Sequence, residues 1–380
     1  MKLVQLFQAR REFKWGMLAV LLAGALLALI AVPLVGAQGA PTFTNPIQLS
    51  NGADPWIVYY EGNYYLTTTV GGSELYVRQS PTLGGLKDAP PVLVWEDETP
   101  DRCCNMWSPE LHLLDGEDGP HWYLYYTAGP MSQNTHDTQY THVLESEGTD
   151  PLGPYIYKAR VFDPVHDTPQ LDATVMEWQD ELYFLSSVWD EAGQSLYIAP
   201  MSNPWTISGD HVRIASPMYA WEKVDANINE APAALEHDGE LFLTYSASSC
   251  ASPNYALGML TLTGDDVLDP GAWTKSEKPV FQRADENDVF GPGHNGFFKS
   301  PDGTEDWIVY HANDSIDGGC DDQRTTRAQP ITWNEDGTPD FGAPVSLDTE
   351  LPVPSGEVAL DSAVEPVVAE TAEATAEPAS

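Results

Sequence analysis

Three carboxylates stand at comparable places along this chain: Asp54 in ADPWIVYYEGNYYLTTT, Asp172 in LDATVMEWQDELYFLSS and Glu230 in NEAPAALEHDGELFLTYSAS. Each sits at the head of an apolar run with strand-like alternation, where an acid has no packing role. Carboxyl groups held together can do general acid and general base work. One donates a proton to a leaving oxygen, another activates water, and a third raises the donor's pKa by like-charge repulsion. A lone acid ahead of a strand is ordinary turn chemistry. Three at matching points of equivalent repeats imply a shared pocket.

The elements that must gather these acids are hairpins. Behind each acid two alternating strands flank a short turn, at Glu61-Gly62-Asn63, Trp178-Gln179-Asp180 and His237-Asp238-Gly239. Two further units, WSPELHLLDGEDGPHWYLYYTAG and GHNGFFKSPDGTEDWIVYHA, bring the set to five. Their leading residues Asp54, Ser108, Asp172, Glu230 and His294 are 54, 64, 58 and 64 positions apart. A repeat of roughly 50 to 60 residues has room for the four strands of a propeller blade. Helical periodicity is weak, so the spacing predicts an all-β, five-bladed β-propeller. In that fold the innermost strand of each blade lines a central channel, and Asp54, Asp172 and Glu230 are expected to meet at one end of it.

Composition narrows the partners. The formal charge is −40, with 57 acids against 17 Lys and Arg, which argues against nucleic acid and anionic membrane surfaces. The acidity reads as solvation or adaptation to saline surroundings. The 12 Trp and 17 Tyr suit a carbohydrate-binding cleft. Residues 1–39 combine Lys2, Arg10, Arg11 and Lys14 with an apolar run and small residues near Ala37, an export signal. The expected location is therefore secreted or extracellular, with no membrane contact beyond a signal anchor left uncut. Residues 40–350 are expected to form the propeller, and 351–380, rich in Pro, Ala and Glu, a disordered acidic tail. In an exported chain the four cysteines are expected to form disulfides. Adjacent cysteines rarely join, so at least one link from Cys103 or Cys104 to Cys250 or Cys320 is expected.

Taken in order, ADPWI, WSPELH, LDATV, INEAPAAL, GPGHNGFFKSPDGTEDWIVYHA and RTTRAQPITWNEDGTPDFGAP give residues 45–346 a resemblance to glycoside hydrolase family 43. The resemblance implies an inverting mechanism, in which the two working carboxyls stand about 6.5–9.5 Å apart to admit a water. It assigns Asp54 as general base, Glu230 as general acid and Asp172 as the acid that orients and tunes Glu230. Trp107 matches an aromatic wall of the sugar pocket. Arg324 matches a substrate-contacting arginine, with Arg327 as a rival, and Asn229 is expected to touch substrate beside Glu230. His294 matches an axial histidine that in relatives often holds Ca2+ or Na+ through water; a histidine held by core hydrogen bonds is the alternative. One histidine is not a metal site by ligand count, and the chemistry itself requires no cofactor. The segments from GPGH onward look most like an exo-acting α-L-arabinofuranosidase working on α-1,5-arabinan or arabino-oligosaccharides, with plant cell-wall arabinan or arabinoxylan as the source. A β-xylosidase and an endo-α-1,5-L-arabinanase are alternatives within the family. A secreted, non-catalytic sugar-binding propeller is the alternative of another class.

Overall fold

A computed structural model describes residues 40–131, 136–163, 165 and 167–358. The expected export signal, residues 1–39, and residues 359–380 of the expected tail lie outside the described residues. Within them the five predicted hairpins are all present, each opening a separate antiparallel sheet. The innermost strands are Ala53–Tyr60, Cys104–Gly116, Leu171–Trp178, Asn229–His237 and Phe290–Lys299, heading blades 1 to 5. The turns form where the residues permit left-handed backbone. Glu61 and Gly62, Gln179 and Asp180, and Asp238 and Gly239 all have positive φ, as a two-residue hairpin of this twist requires.

Period-two alternation gives every sheet two apolar faces, and each packs against a neighbouring blade. Trp122, Leu124 and Tyr126 of blade 2 meet Tyr65, Leu75 and Val77 of blade 1. The intervening Tyr123 and Tyr125 meet Val175 and Phe184 of blade 3. Equivalent clusters join blades 3 and 4 through Leu185 and Leu243, blades 4 and 5 through Phe242 and Tyr310, and blades 5 and 1 through Trp307 and Tyr64. The core is thus a circle of interfaces around an axis.

The ring is closed by the start of the described chain. Blade 5 has three strands of its own, ending in Thr325–Pro330. The segment from Asn45 to Gly52 runs beside that last strand. Thr326 N–H donates to Gln48 O at 3.0 Å, Ile47 N–H to Thr326 O at 2.9 Å and Gly52 N–H to Arg324 O at 3.0 Å. The Asn45 side chain imitates a further backbone unit, donating to Ala328 O and accepting from Ala328 N–H, both at 2.9 Å.

A second closure runs around the axis itself. The innermost strands bulge where they reach the channel, with register breaks after Ala53, Trp107, Leu171, Glu230 and Gly293. The residue at each break is left-handed: Asp54 (φ 53°), Ser108 (50°), Asp172 (48°), Ala231 (51°) and His294 (46°). Four of these backbone N–H groups donate to a side chain of the preceding blade. Ser108 bonds Thr69 Oγ1 (2.7 Å), Asp172 bonds Thr127 Oγ1 (3.3 Å), His294 bonds Ser246 Oγ (2.7 Å), and Asp54 bonds His311 Nδ1 (3.1 Å). The four predicted lead residues Asp54, Ser108, Asp172 and His294 are therefore structurally equivalent. Glu230 is not, because blade 4 places Ala231 at that point and Glu230 one residue before it.

Two expectations are corrected here. The cysteines pair as Cys103–Cys104 and Cys250–Cys320, so no bond links the adjacent pair to the distant ones. The second disulfide ties the loop after Glu240–Ala247 of blade 4 to the loop between the last two strands of blade 5. Residues 351–358 of the expected tail also belong to the fold. Leu351–Pro352 pairs with Thr42–Phe43, Leu351 is buried in the cluster between blades 5 and 1, and Glu357 accepts a 2.8 Å bond from Leu83 N–H. Leu351 and Val353, which pack against that cluster, were hidden by the Pro and Glu around them.

Candidate active site

The five bulges surround a cavity of about 280 Å³ to which every blade contributes. Asp54, Thr69, Trp107, Ser108, Asp172, Glu230, Tyr255, His294 and Arg324 face it, and the Cys250–Cys320 disulfide forms part of its wall. The three predicted acids do converge, as do Trp107, His294 and Arg324.

The two outer acids of that set have opposite surroundings. Asp54 Oδ1 lies 3.1 Å from His294 Nδ1 and 3.3 Å from Arg324 Nη1, with His311 Nδ1 at 3.4 Å. Burial alone would push the Asp54 carboxyl up, but the charges of His294 and Arg324, together with His311, hold it well below the usual carboxylate range. Among the described residues Glu230 forms no ion pair. Burial pushes it up, the Asp172 charge pushes further, Tyr255 pulls it down and Asp54 adds a smaller push, leaving it at about 8. Of the three carboxyls here, Asp54 is thus held towards its ionised form and Glu230 towards its protonated form.

Supporting side chains fix these groups. Ser108 Oγ donates to Asp172 Oδ1 at 2.8 Å, so the lead residue of blade 2 holds the lead residue of blade 3. Tyr255 Oη donates to Glu230 Oε1 at 2.7 Å. Burial and the Arg324 charge push His311 down to about 3 against the pull of Asp54. His311 Nδ1 faces both the Asp54 N–H (3.1 Å) and Asp54 Oδ1 (3.4 Å), and its Nε2 lies 3.5 Å from Arg324 Nη1.

Asn229 is the misplaced residue among those expected here. It is fully buried, donates to Glu222 Oε1 at 3.1 Å and accepts from Lys275 Nζ at 2.7 Å. Neighbours on a strand point to opposite faces, so Asn229 turns into the blade while Glu230 turns into the cavity. Its partners form a buried knot in which Glu222 also accepts from Lys275 Nζ (2.5 Å) and Tyr245 Oη (2.9 Å). The rival Arg327 is fully buried and bonded to Asp314 and Thr325, away from the cavity. Tyr255 and His311 were missed. Tyr255 lies in an irregular loop with no pattern to mark it, whereas His311 stands opposite Gly293 in the register and a consistent hairpin alignment would have found it.

His294 belongs to the carboxylate site, facing Asp54. Among the described residues no group of three or more His, Cys, Asp or Glu side chains is arranged to hold a metal ion. Arg324 already supplies positive charge to Asp54. One imidazole beside a guanidinium does not fit Ca2+ or Na+, which take several oxygen ligands, and no step below passes through an ion.

A propeller whose axial cavity combines a carboxyl pushed towards protonation with one held ionised, beside an aromatic wall and an arginine, has the equipment for cleaving glycosidic bonds, and the fold and site together define a glycoside hydrolase. The chain belongs to glycosyl hydrolases family 43, whose pattern matches residues 43–339. It is 40% identical over 342 residues to the extracellular exo-α-(1→5)-L-arabinofuranosidase of Streptomyces avermitilis, covering 86% of this chain and 69% of that one. It is 36% identical over 333 residues to α-L-arabinofuranosidase 43 of Humicola insolens, covering 84% and 67%. The crystal structure of an α-L-arabinofuranosidase from Lactobacillus brevis superposes with a TM-score of 0.74 at 37% identity, covering 81% of this chain and 98% of that one.

Proposed function

We propose that this chain is an exported, exo-acting, inverting α-L-arabinofuranosidase that removes terminal arabinofuranose from α-1,5-arabinan or its oligosaccharides. The observation that carries the reading is that Asp54, paired with His294 and Arg324, and Glu230, held by the Tyr255 phenol, meet with Asp172 in one cavity. The similarity to enzymes named for arabinofuranose supports the choice of sugar.

In this reading the terminal arabinose sits against Trp107 with its glycosidic oxygen at Glu230. The bond from the anomeric carbon to that oxygen breaks as Glu230 gives the oxygen its proton. A water on the opposite face attacks the anomeric carbon and yields its proton to Asp54. Asp54 is a weak base because of His294 and Arg324, so it orients the water first and takes the proton late, once the sugar has oxocarbenium character. Asp172 keeps Glu230 protonated between turnovers. Afterwards Asp54 loses its proton to solvent and Glu230 regains one.

The test is a digest of debranched arabinan with product sizes resolved, using the wild type and Glu230→Gln. The wild type is expected to release arabinose alone. Glu230→Gln is expected to lose on the order of 10²- to 10⁴-fold on arabinan, as for loss of a general acid, and far less on an aryl arabinofuranoside whose leaving group needs no proton. A ladder of oligosaccharides would contradict exo action, and equal losses on the two substrates would remove Glu230 from the acid role.

A further inference from the structure

We infer that Tyr255 is a positioning residue for the proton donor: its phenol, itself aligned by Ser246, holds Oε1 of Glu230 and thereby assigns Oε2 to deliver the proton. This rests on the reading of Glu230 as the general acid. Tyr255 Oη donates to Glu230 Oε1 at 2.7 Å. An oxygen that accepts such a bond is the carbonyl-like oxygen of a neutral carboxyl, so the proton resides on the other one.

The phenol has little freedom to do otherwise. Tyr255 is fully buried, and its ring lies parallel to His311 at 2° with centroids 5.7 Å apart. The backbone of Gly293 also presses close, since a Cβ there would come within 2.3 Å of Tyr255 Cε1. Glycine at 293 is therefore what makes room for the ring. Any other residue at that position would displace the phenol from Glu230.

The bond also has a direction. Ser246 stands opposite Glu230 in the blade 4 hairpin, and its Oγ accepts the His294 N–H at 2.7 Å. Its own hydroxyl proton is then free to face the Tyr255 oxygen, whose ionisation Ser246 eases. Ser246 thus stands between the His294 N–H it accepts and the Tyr255 phenol, which donates to Glu230. It links the axial ring of backbone bonds to the proton donor. As Glu230 gives up its proton, the last bond becomes charge-assisted and strengthens, which favours the transition state over the ground state. The other charged groups around Glu230 are Asp172 from blade 3, Asp54 from blade 1, and Arg324 and His294 from blade 5, with His311 behind Tyr255.

Tyr255→Phe keeps the ring and removes the bond. We expect kcat on arabino-oligosaccharides to fall roughly ten- to hundredfold, the worth of one hydrogen bond to a charged group, with KM little changed and a smaller loss on activated aryl arabinofuranosides. Because phenol donation favours ionised Glu230, its removal should move the alkaline limb of the pH–kcat profile to higher pH. Ser246→Ala should do the same to a lesser degree, and it carries the test if Tyr255→Phe does not fold. An unmoved or lowered limb, or equal losses on both substrate types, overturns the assignment. Glu230→Gln is run alongside: if it retains full activity on arabinan, the acid assignment has failed and not the role of Tyr255 within it.

Discussion

Burial pushes both Asp54 and Glu230 up; what separates them is which neighbours each one faces. Asp54 meets His294 and Arg324, whereas Glu230 meets Asp172 and a phenol. Removing the Asp172 charge should therefore act through Glu230. With Asp172→Asn the raised pKa of Glu230, about 8, relaxes downward. The alkaline limb of the pH–kcat profile should follow it down by roughly one pH unit, opposite to the shift expected for Tyr255→Phe. An unchanged limb would show that Asp172 does not tune the donor. The acids themselves were readable in the sequence because a carboxylate heading an apolar run is conspicuous. Asn229 was misread because adjacency in sequence suggested adjacency in the site, while a strand sends successive side chains opposite ways. Tyr255 was not readable at all: its place depends on the loop that carries it and on the space left by Gly293, 38 residues on in the numbering.

At the scale of the element, alternation and turn residues made the five hairpins visible, and their spacing revealed the blades. The bulge that aims each inner strand was not visible, because Asp54, Ser108, Asp172, Ala231 and His294 share a backbone conformation and no side-chain type. That is why Glu230 was aligned one position from its true equivalent. Closure of the circle was hidden for a similar reason. The segment around Asn45 has no strand pattern, and its side chain does the pairing. Asn45→Ala should leave the buried N–H and C=O of Ala328 without these partners. We expect a loss of about 2 kcal/mol or more, read as a lower denaturant midpoint with an unchanged slope. A loss below about 0.5 kcal/mol would mean that this contact does not hold the first and last blades together.

At the scale of the molecule, the net charge of −40 is spread over a fold whose site binds neutral sugar in our reading. Crowded acids repel one another and destabilise the compact state. Salt shortens the reach of that repulsion, from about 10 Å at 0.1 M to about 3 Å at 1 M. Thermal stability should accordingly rise with NaCl over that range, while kcat/KM on neutral arabino-oligosaccharides changes little. A melting temperature that falls with salt would mean that ion pairs, such as those of Arg213 with Asp190 and Glu191, outweigh the repulsion. The family and the five-bladed fold were legible in the order of the short segments, since each marks the start of a blade. The pairing of the cysteines was not, because it depends on which loops the circular arrangement brings together.

The central claim is that Glu230 gives a proton from one side of the terminal sugar while Asp54 directs water from the other. Proton NMR of the arabinose released in the first moments of hydrolysis of α-1,5-arabinobiose tests it most directly. We predict that the β-anomer appears first and the α-anomer only as mutarotation proceeds. Initial release of the α-anomer would contradict the account, for it would require attack by a protein group in place of the water held by Asp54.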